Sequence, residues 1–365
     1  MTINYKLIPF LLLAIFNIVI GILIGLYRSG WQINFVNQDI VYLHGPIMIN
    51  GFLLTLINLE RTVAIRKKVA FIGAFLSGIS FFLLFLEVDQ LIIKFLILLS
   101  SFNLIFIYLY ALKIDKEIHI YIQIMGTCFL IIGNILWIYN YYFTHISLWW
   151  ISFLLFTISG ERLELSKLKN FSNTSKKIFI LSILLTTSSL FLSFYSYNIS
   201  TRILGISFFI IMLWFFKYDI ALNMLKNNSL TRFIAICIIN GYLWLGISSM
   251  IIIINGQFII GNFLYDAFLH SFFLGFVISM IFAHAPIIFP AILRIKINYS
   301  HIFYTHLVFL NISIITRIIA DIMNLYYLLK ISTILNSMAI LLFLINTLIS
   351  IKINYQIRKD VINEI

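Results

Sequence analysis

Apolar residues fall along this chain in long runs, separated by short polar or charged breaks. A helix that crosses a bilayer needs about 20 mostly apolar residues. Read that way, the runs cover residues 7–27, 41–59, 69–86, 91–112, 118–138, 146–160, 178–197, 203–217, 233–254, 262–284, 300–320 and 328–351. The pattern predicts an all-α, polytopic integral membrane protein of about twelve transmembrane helices. The connections are short, the longest being the basic stretch from Arg162 to Lys177, and none is polar enough for a separate soluble domain. Residues 1–365 are therefore expected to form a single transmembrane domain. The first run has no small-residue cleavage site behind it, so it reads as a retained helix rather than a removed signal peptide.

Composition agrees with this pattern. Of 365 residues, 62% are hydrophobic and 10% charged, with a mean hydropathy of +1.05. Roughly 226 apolar residues at about 20 per crossing allow about eleven or twelve spans. Soluble enzymes, nucleic-acid binders and secreted disulfide scaffolds are excluded as classes, so no nucleic-acid partner is expected. The net charge of +12 then becomes a statement about topology. With a cytoplasmic N-terminus, only Arg28, Lys94, Arg202, Arg317 and Lys330 fall at the outer side, which leaves 20 of the 25 basic residues inside. The positive-inside rule thus predicts an even number of spans in the inner (cytoplasmic) membrane, with both termini cytoplasmic. Cys128 and Cys237 lie inside apolar runs and read as packing residues rather than a disulfide or a metal-ligand pair.

A weaker repeat lies beneath the spans. The second begins with His44-Gly45-Pro46 and ends at Glu60-Arg61; the sixth opens near His145 and ends at Glu161-Arg162. Both His-to-Glu spacings are 16, and in the tenth span Pro286 follows His270 by the same 16 residues. Histidines at matching registers on spans two, six and ten are what three sequential four-helix units would give, with pseudo-repeats at about 1–113, 114–218 and 219–365.

Ionisable groups inside a bilayer are costly, which directs attention to the seven histidines. His44, His145 and His270 are placed at the outer side; His119, His284, His301 and His306 at the inner. Two imidazoles on facing helices can close both axial positions of a haem, and His44 and His270, one to two turns inside their spans, suit that role. The alternative is an interfacial histidine bonded to a carbonyl or water, and it weighs most for His145. Gly45, Gly51 and Gly275 either remove side chains where a flat macrocycle would approach or serve ordinary transmembrane packing. Asp266, four residues before His270 on the same helical face, reads either as the acceptor that orients its imidazole or as an interfacial cap. Arg317 reads either as a haem-propionate ligand or as a snorkelling arginine paired with Asp321. His284 follows His270 by 14 residues, about 21 Å of rise and only about 40° off the same face, so a second haem or an inner-surface metal using His284, His301 and His306 stays open beside a plain interfacial role. Asn50, Asn134 and Asn240 read as a polar path or as helix-to-helix bonding. No phosphate loop, His-Glu-x-x-His pair or Ser/His/Asp arrangement is present, and no chain of buried carboxylates is evident.

The spans in three four-helix units, the His44-Gly45-x-x-Met48 sequence and the outer His270 together resemble the catalytic subunits of haem-copper oxidases. The resemblance implies that His44 and His270 ligate a low-spin haem and that Arg317 holds a propionate. The family's second histidine two residues before the span-ten ligand is Phe268 here, span seven has no histidine, and span six offers only His145 as a copper ligand. The pattern is closer to NnrS-like membrane proteins, twelve-span relatives implicated in haem and copper binding and the response to nitric oxide. The expectation is a membrane haem protein holding one b-type haem (haem b) between His44 and His270, with His145 as a third metal ligand or pocket residue and copper as an additional metal. Its role would be electron transfer to or from a redox partner protein, or handling of nitric oxide or another diatomic gas, and if it is an enzyme, a haem-dependent oxidoreductase. A membrane transporter and a non-catalytic accessory or assembly subunit of a redox complex are the competing readings.

Overall fold

The computed structural model describes residues 4–34, 36, 38–166 and 172–363, with side chains except at 38, 39 and 352–363. Lys167 and Lys169, two of the basic residues counted as inner, lie outside the described residues. Every regular element among those described is helical. This is what lipid demands of a chain with so few polar residues, because a helix satisfies its backbone N–H and C=O groups internally.

Among the described residues, eleven helices are long and apolar enough to cross a membrane: Tyr5–Arg28, His44–Ile65, Gln90–Ile114, Ile118–Ile138, Phe143–Leu165, Asn173–Leu192, Tyr197–Tyr218, Ser229–Asn255, Phe263–Leu293, Phe303–Met323 and Tyr326–Ile351. The protein is a multi-span helical membrane protein. The run at 69–86 is the exception to the expected twelve. Its helix Lys68–Ser80 is shorter and gives way to a 3-10 segment, Phe82–Leu86, that ends at Glu87 in the left-handed region. Ser80 donates its hydroxyl to the Leu76 carbonyl of its own helix.

The chain divides into two compact units, Asn4–Leu165 and Ser166–Ile365. In the first, Tyr5–Arg28 packs on the His44–Ile65 helix and on Phe71–Ser80, Gln90–Ile114 packs beside Ile118–Ile138, and Phe143–Leu165 runs along the latter. Short polar side chains pin these helices: Asn58 Nδ2 donates to Ser100 Oγ at 3.1 Å, Asn134 Nδ2 to Ser101 Oγ at 2.8 Å, and Trp150 Nε1 to Asn134 Oδ1 at 2.9 Å. In the second unit successive helices pack as neighbours from Asn173 onward. Asn240 Nδ2 donates to Ser279 Oγ at 2.9 Å and Trp244 Nε1 to Asn311 Oδ1 at 2.9 Å. Asn134 and Asn240 thus serve helix-to-helix bonding, the commoner use of membrane asparagines.

Two helices depart from regular α geometry at related places. His44–Ile65 passes through a π-helical segment at Ile47–Leu53, and Phe263–Leu293 through one at Ser271–Ile278. His44 stands three residues before the first and His270 immediately before the second. Widened π turns within α-helices are frequent at functional sites.

Candidate functional site

His44 owes its setting to two glycines on the first helix. Gly21 and Gly25, one turn apart, leave a slot into which His44 and Met48 dock. A Cβ on Gly25 would stand 2.9 Å from His44 Cε1, and one on Gly21 would meet the Met48 sulfur. His44 Nδ1 lies 2.8 Å from the Gly21 carbonyl oxygen. A carbonyl only accepts, so Nδ1 carries the proton and Nε2 keeps the ring's lone pair. The sequence signal for this support is the Gly21-x-x-x-Gly25 spacing, a small-residue stripe that lets helices approach closely.

His270 is set the same way by different means. Its Nδ1 donates to the Asp266 carbonyl of its own helix at 2.9 Å and stands 3.3 Å from Asp266 Oδ2. Asp266 therefore occupies the orienting position expected of it. The same Oδ2 accepts from Arg317 Nε at 2.7 Å, and Arg317 Nη1 donates to Thr333 Oγ1 at 3.3 Å. Arg317 thus reaches across to the neighbouring helix and pairs with Asp266, not with Asp321 one turn along its own. The two carboxylate oxygens of Asp321 are buried with no hydrogen-bond partner. His270, Asp266, Arg317, Thr333 and Asp321 form one cluster inside the second unit.

The remaining histidines differ. His145 is half-buried, edge-on to Tyr141 with ring centroids 5.2 Å apart and beside Tyr142, as in the aromatic belt of a membrane interface. His284 Nδ1 lies 2.7 Å from the Met280 carbonyl oxygen. His301 is exposed, with Nδ1 3.3 Å from the Tyr299 hydroxyl. His306 has the opposite tautomer to His44 and His270. Asn346 Nδ2 approaches its Nδ1 at 3.1 Å, and because that same Nδ2 also donates to the Ile302 carbonyl, the amide orientation is fixed and Nδ1 is the acceptor. Its Nε2 hydrogen is then buried without a hydrogen-bond partner, with the Phe282 ring 4.5 Å away centroid to centroid. Among the described residues no three His, Cys, Asp or Glu side chains gather as a metal would need, and His284, His301 and His306 each engage separate partners.

The two dipeptides singled out by the repeat do meet. Arg61 Nη2 binds Glu161 Oε1 at 2.5 Å, with Glu60 at 3.7 Å and Glu164 at 3.8 Å, and His119 Nε2 lies 3.8 Å from Glu164. Buried polar atoms without hydrogen-bond partners accompany this cluster in the first unit: Tyr108 Oη, Gln123 Nε2, the amide oxygens of Asn17, Asn58 and Asn103, and both amide atoms of Asn50. The sequence offered no sign that these amides would be left unpaired.

The glycines assigned to a macrocycle have other occupants. A Cβ at Gly45 would meet Phe143, one at Gly51 would meet Asn17 and Phe81, and one at Gly275 would meet the Trp244 indole at 2.5 Å. These are ordinary close approaches within each unit. Arg202 bonds the Ile253 and Asn255 carbonyls and so caps the C-terminal end of Ser229–Asn255, where a cation complements the helix dipole. Tested against haem, the donor nitrogens of His44 and His270 fit an iron ligand, and Arg317 keeps guanidinium donors beyond those spent on Asp266 and Thr333. The glycines do not supply the space.

A model of the family described as "Domain of unknown function (DUF8744)" matches residues 7–352. No curated protein and no solved structure matches the chain.

Proposed function

The chain belongs to the DUF8744 family, and from its own side chains we propose that it is a membrane haem protein whose iron ligands are His44 and His270. The observation that carries this is their common setting: each imidazole gives its Nδ1 hydrogen to a backbone carbonyl and presents Nε2 as the lone-pair nitrogen, at the entry to a π-helical segment. A ligating histidine characteristically donates its other ring N–H in this way, which fixes orientation and raises basicity. Asp266 strengthens the effect at His270, and Arg317 holds Asp266 in place while retaining donors for a propionate. A bound b-type haem would supply electron transfer or the handling of a small diatomic such as nitric oxide. In this reading the chain is an inner-membrane protein of haem-copper oxidase-like architecture in three four-helix units, working with a redox partner. Among the described residues no cluster of donors supports a copper site, and in this reading His145 acts as an interfacial residue. That one haem takes both histidines is the expectation from their register, and the experiment reads it directly.

The test is the haem content of protein purified after expression with ample haem, measured as its pyridine complex. The proposal expects close to one haem per chain in the wild type and a large loss in each of His44→Ala and His270→Ala. Haem-free wild-type protein would overturn it. A transporter is the second reading, favoured by the buried amide oxygens of Asn50, Asn58 and Asn103 that lack a hydrogen-bond partner, which have the character of a hydrated path. Haem-free protein whose Asn50→Leu variant loses uptake of a polar solute into proteoliposomes would select it.

A further inference from the structure

Within the second unit lies a cavity of about 550 Å³ walled by Asn228, Ser229, Arg232, Tyr299, His301 and Tyr304. Small-molecule sites commonly measure about 300–1,000 Å³. Its lining holds one guanidinium, one imidazole and two phenols, and no carboxylate. Arg232 differs in this from the other arginines described above. Arg61 and Arg317 are matched by acids and Arg202 by helix-end carbonyls, whereas Arg232 makes no ion pair with a carboxylate among the described residues. Asn228 and Ser229 stand at the start of the 27-residue helix Ser229–Asn255.

The aromatic side is ordered. The Tyr299 hydroxyl lies 3.3 Å from His301 Nδ1, and the His301 ring stacks on Tyr304 at 6.5 Å with 19° between planes. Donors therefore outnumber what a carboxylate's two oxygens would accept, and a guanidinium with several hydroxyl and amide donors is the set that recognises a phosphate. Ile236 adds an apolar strip suited to the carbon part of an ester. Arg232 makes this a basic pocket, and basic pockets between membrane helices bind phospholipid headgroups.

We infer that this cavity is a binding site for a phosphate ester, held by Arg232 with the hydroxyls of Tyr299 and Tyr304. The phosphate comes either from a lipid headgroup or from a soluble molecule. Calorimetric titration of the full chain in a maltoside detergent distinguishes them with three probes: inorganic phosphate, dihexanoylphosphatidylglycerol and phosphate-free dihexanoylglycerol. A phosphate-bearing probe binds and dihexanoylglycerol does not; tighter binding of the phosphatidylglycerol assigns the site to lipid, and equal or tighter binding of inorganic phosphate assigns it to a soluble ester. Arg232→Gln weakens that binding at least tenfold, while Lys113→Gln, in the other unit, binds as wild type. Tyr304→Phe, which keeps the ring and removes only the hydroxyl, weakens it several-fold and decides the matter should Arg232→Gln fail to fold. The inference is overturned if neither phosphate probe binds, if dihexanoylglycerol binds equally well, or if folded Arg232→Gln and Tyr304→Phe both bind as wild type.

Discussion

The His44–Ile65 and Phe263–Leu293 helices share a histidine next to a π-helical segment but keep their charges at opposite ends. In the first, the ion pairs gather around Arg61, 17 residues and about 25 Å of rise beyond the histidine, and His44 gives its Nδ1 hydrogen to the Gly21 carbonyl. In the second, the ion pair stands against the histidine itself, with Asp266 shared by His270 and Arg317. The difference separates two uses of buried charge. Around Arg61 one cation is set among three carboxylates of two helices, which is a fastening. Around Asp266 the pair bears on an imidazole, which under the proposed haem function would adjust that imidazole as a ligand.

The largest expected effect breaks the fastening. Arg61→Ala leaves Glu161 and Glu60 without their cation, and loss of one partner from a buried pair costs about 3–5 kcal/mol, to be measured as a lowered unfolding midpoint in detergent. Replacing both partners, Arg61→Met with Glu161→Leu, returns most of that stability, because a well-packed apolar pair carries no desolvation cost. Asp266→Asn is milder, about 1–3 kcal/mol, because Arg317 still has Asp321 one turn away; an additional Asp321→Asn removes that second carboxylate and costs more than the two single changes together. If Asp266→Asn proves as damaging as Arg61→Ala, the two clusters do not differ as described. Gly25→Ala comes next: its Cβ would press on His44 Cε1 at 2.9 Å, and overpacking of this kind costs about 1–3 kcal/mol. The displaced imidazole should also lower haem content, which a change of packing alone would not do. The smallest effect belongs to His145→Phe. A half-buried ring among tyrosines at a helix start should change stability by no more than about 0.5 kcal/mol and leave haem content unchanged.

The helical, membrane-spanning class was legible because a bilayer imposes one simple length and one simple composition on every crossing. The run at 69–86 escaped that reading, since its apolar residues continue past Ser80 while the helix there gives way to a 3-10 segment. Equal His-to-Glu spacings drew attention to Glu60-Arg61 and Glu161-Arg162, and the structure adds what spacing alone could not, that Arg61 and Glu161 pair across 100 residues of sequence. Asp266 was legible as the partner of His270 because both lie on one helix at i and i+4. That Arg317 also chooses Asp266 depends on a neighbouring helix and was not. Glycines were legible as close approaches but not as to what approaches: Gly45, Gly51 and Gly275 meet Phe143, Phe81 and Trp244, while Gly21 and Gly25, which receive His44, passed as ordinary members of an apolar run. The tautomers that set His44 and His270 apart from His306 depend on carbonyl and amide partners that the sequence does not display.

The most direct test of the central claim is a reduced-minus-oxidised absorption spectrum of the purified protein, recorded for the wild type, His44→Ala, His270→Ala and His145→Ala side by side. The account predicts b-type haem bands in the wild type and in His145→Ala, and loss of the low-spin signature in each of the other two. A wild type without haem bands, or bands that survive both His44→Ala and His270→Ala, would contradict it.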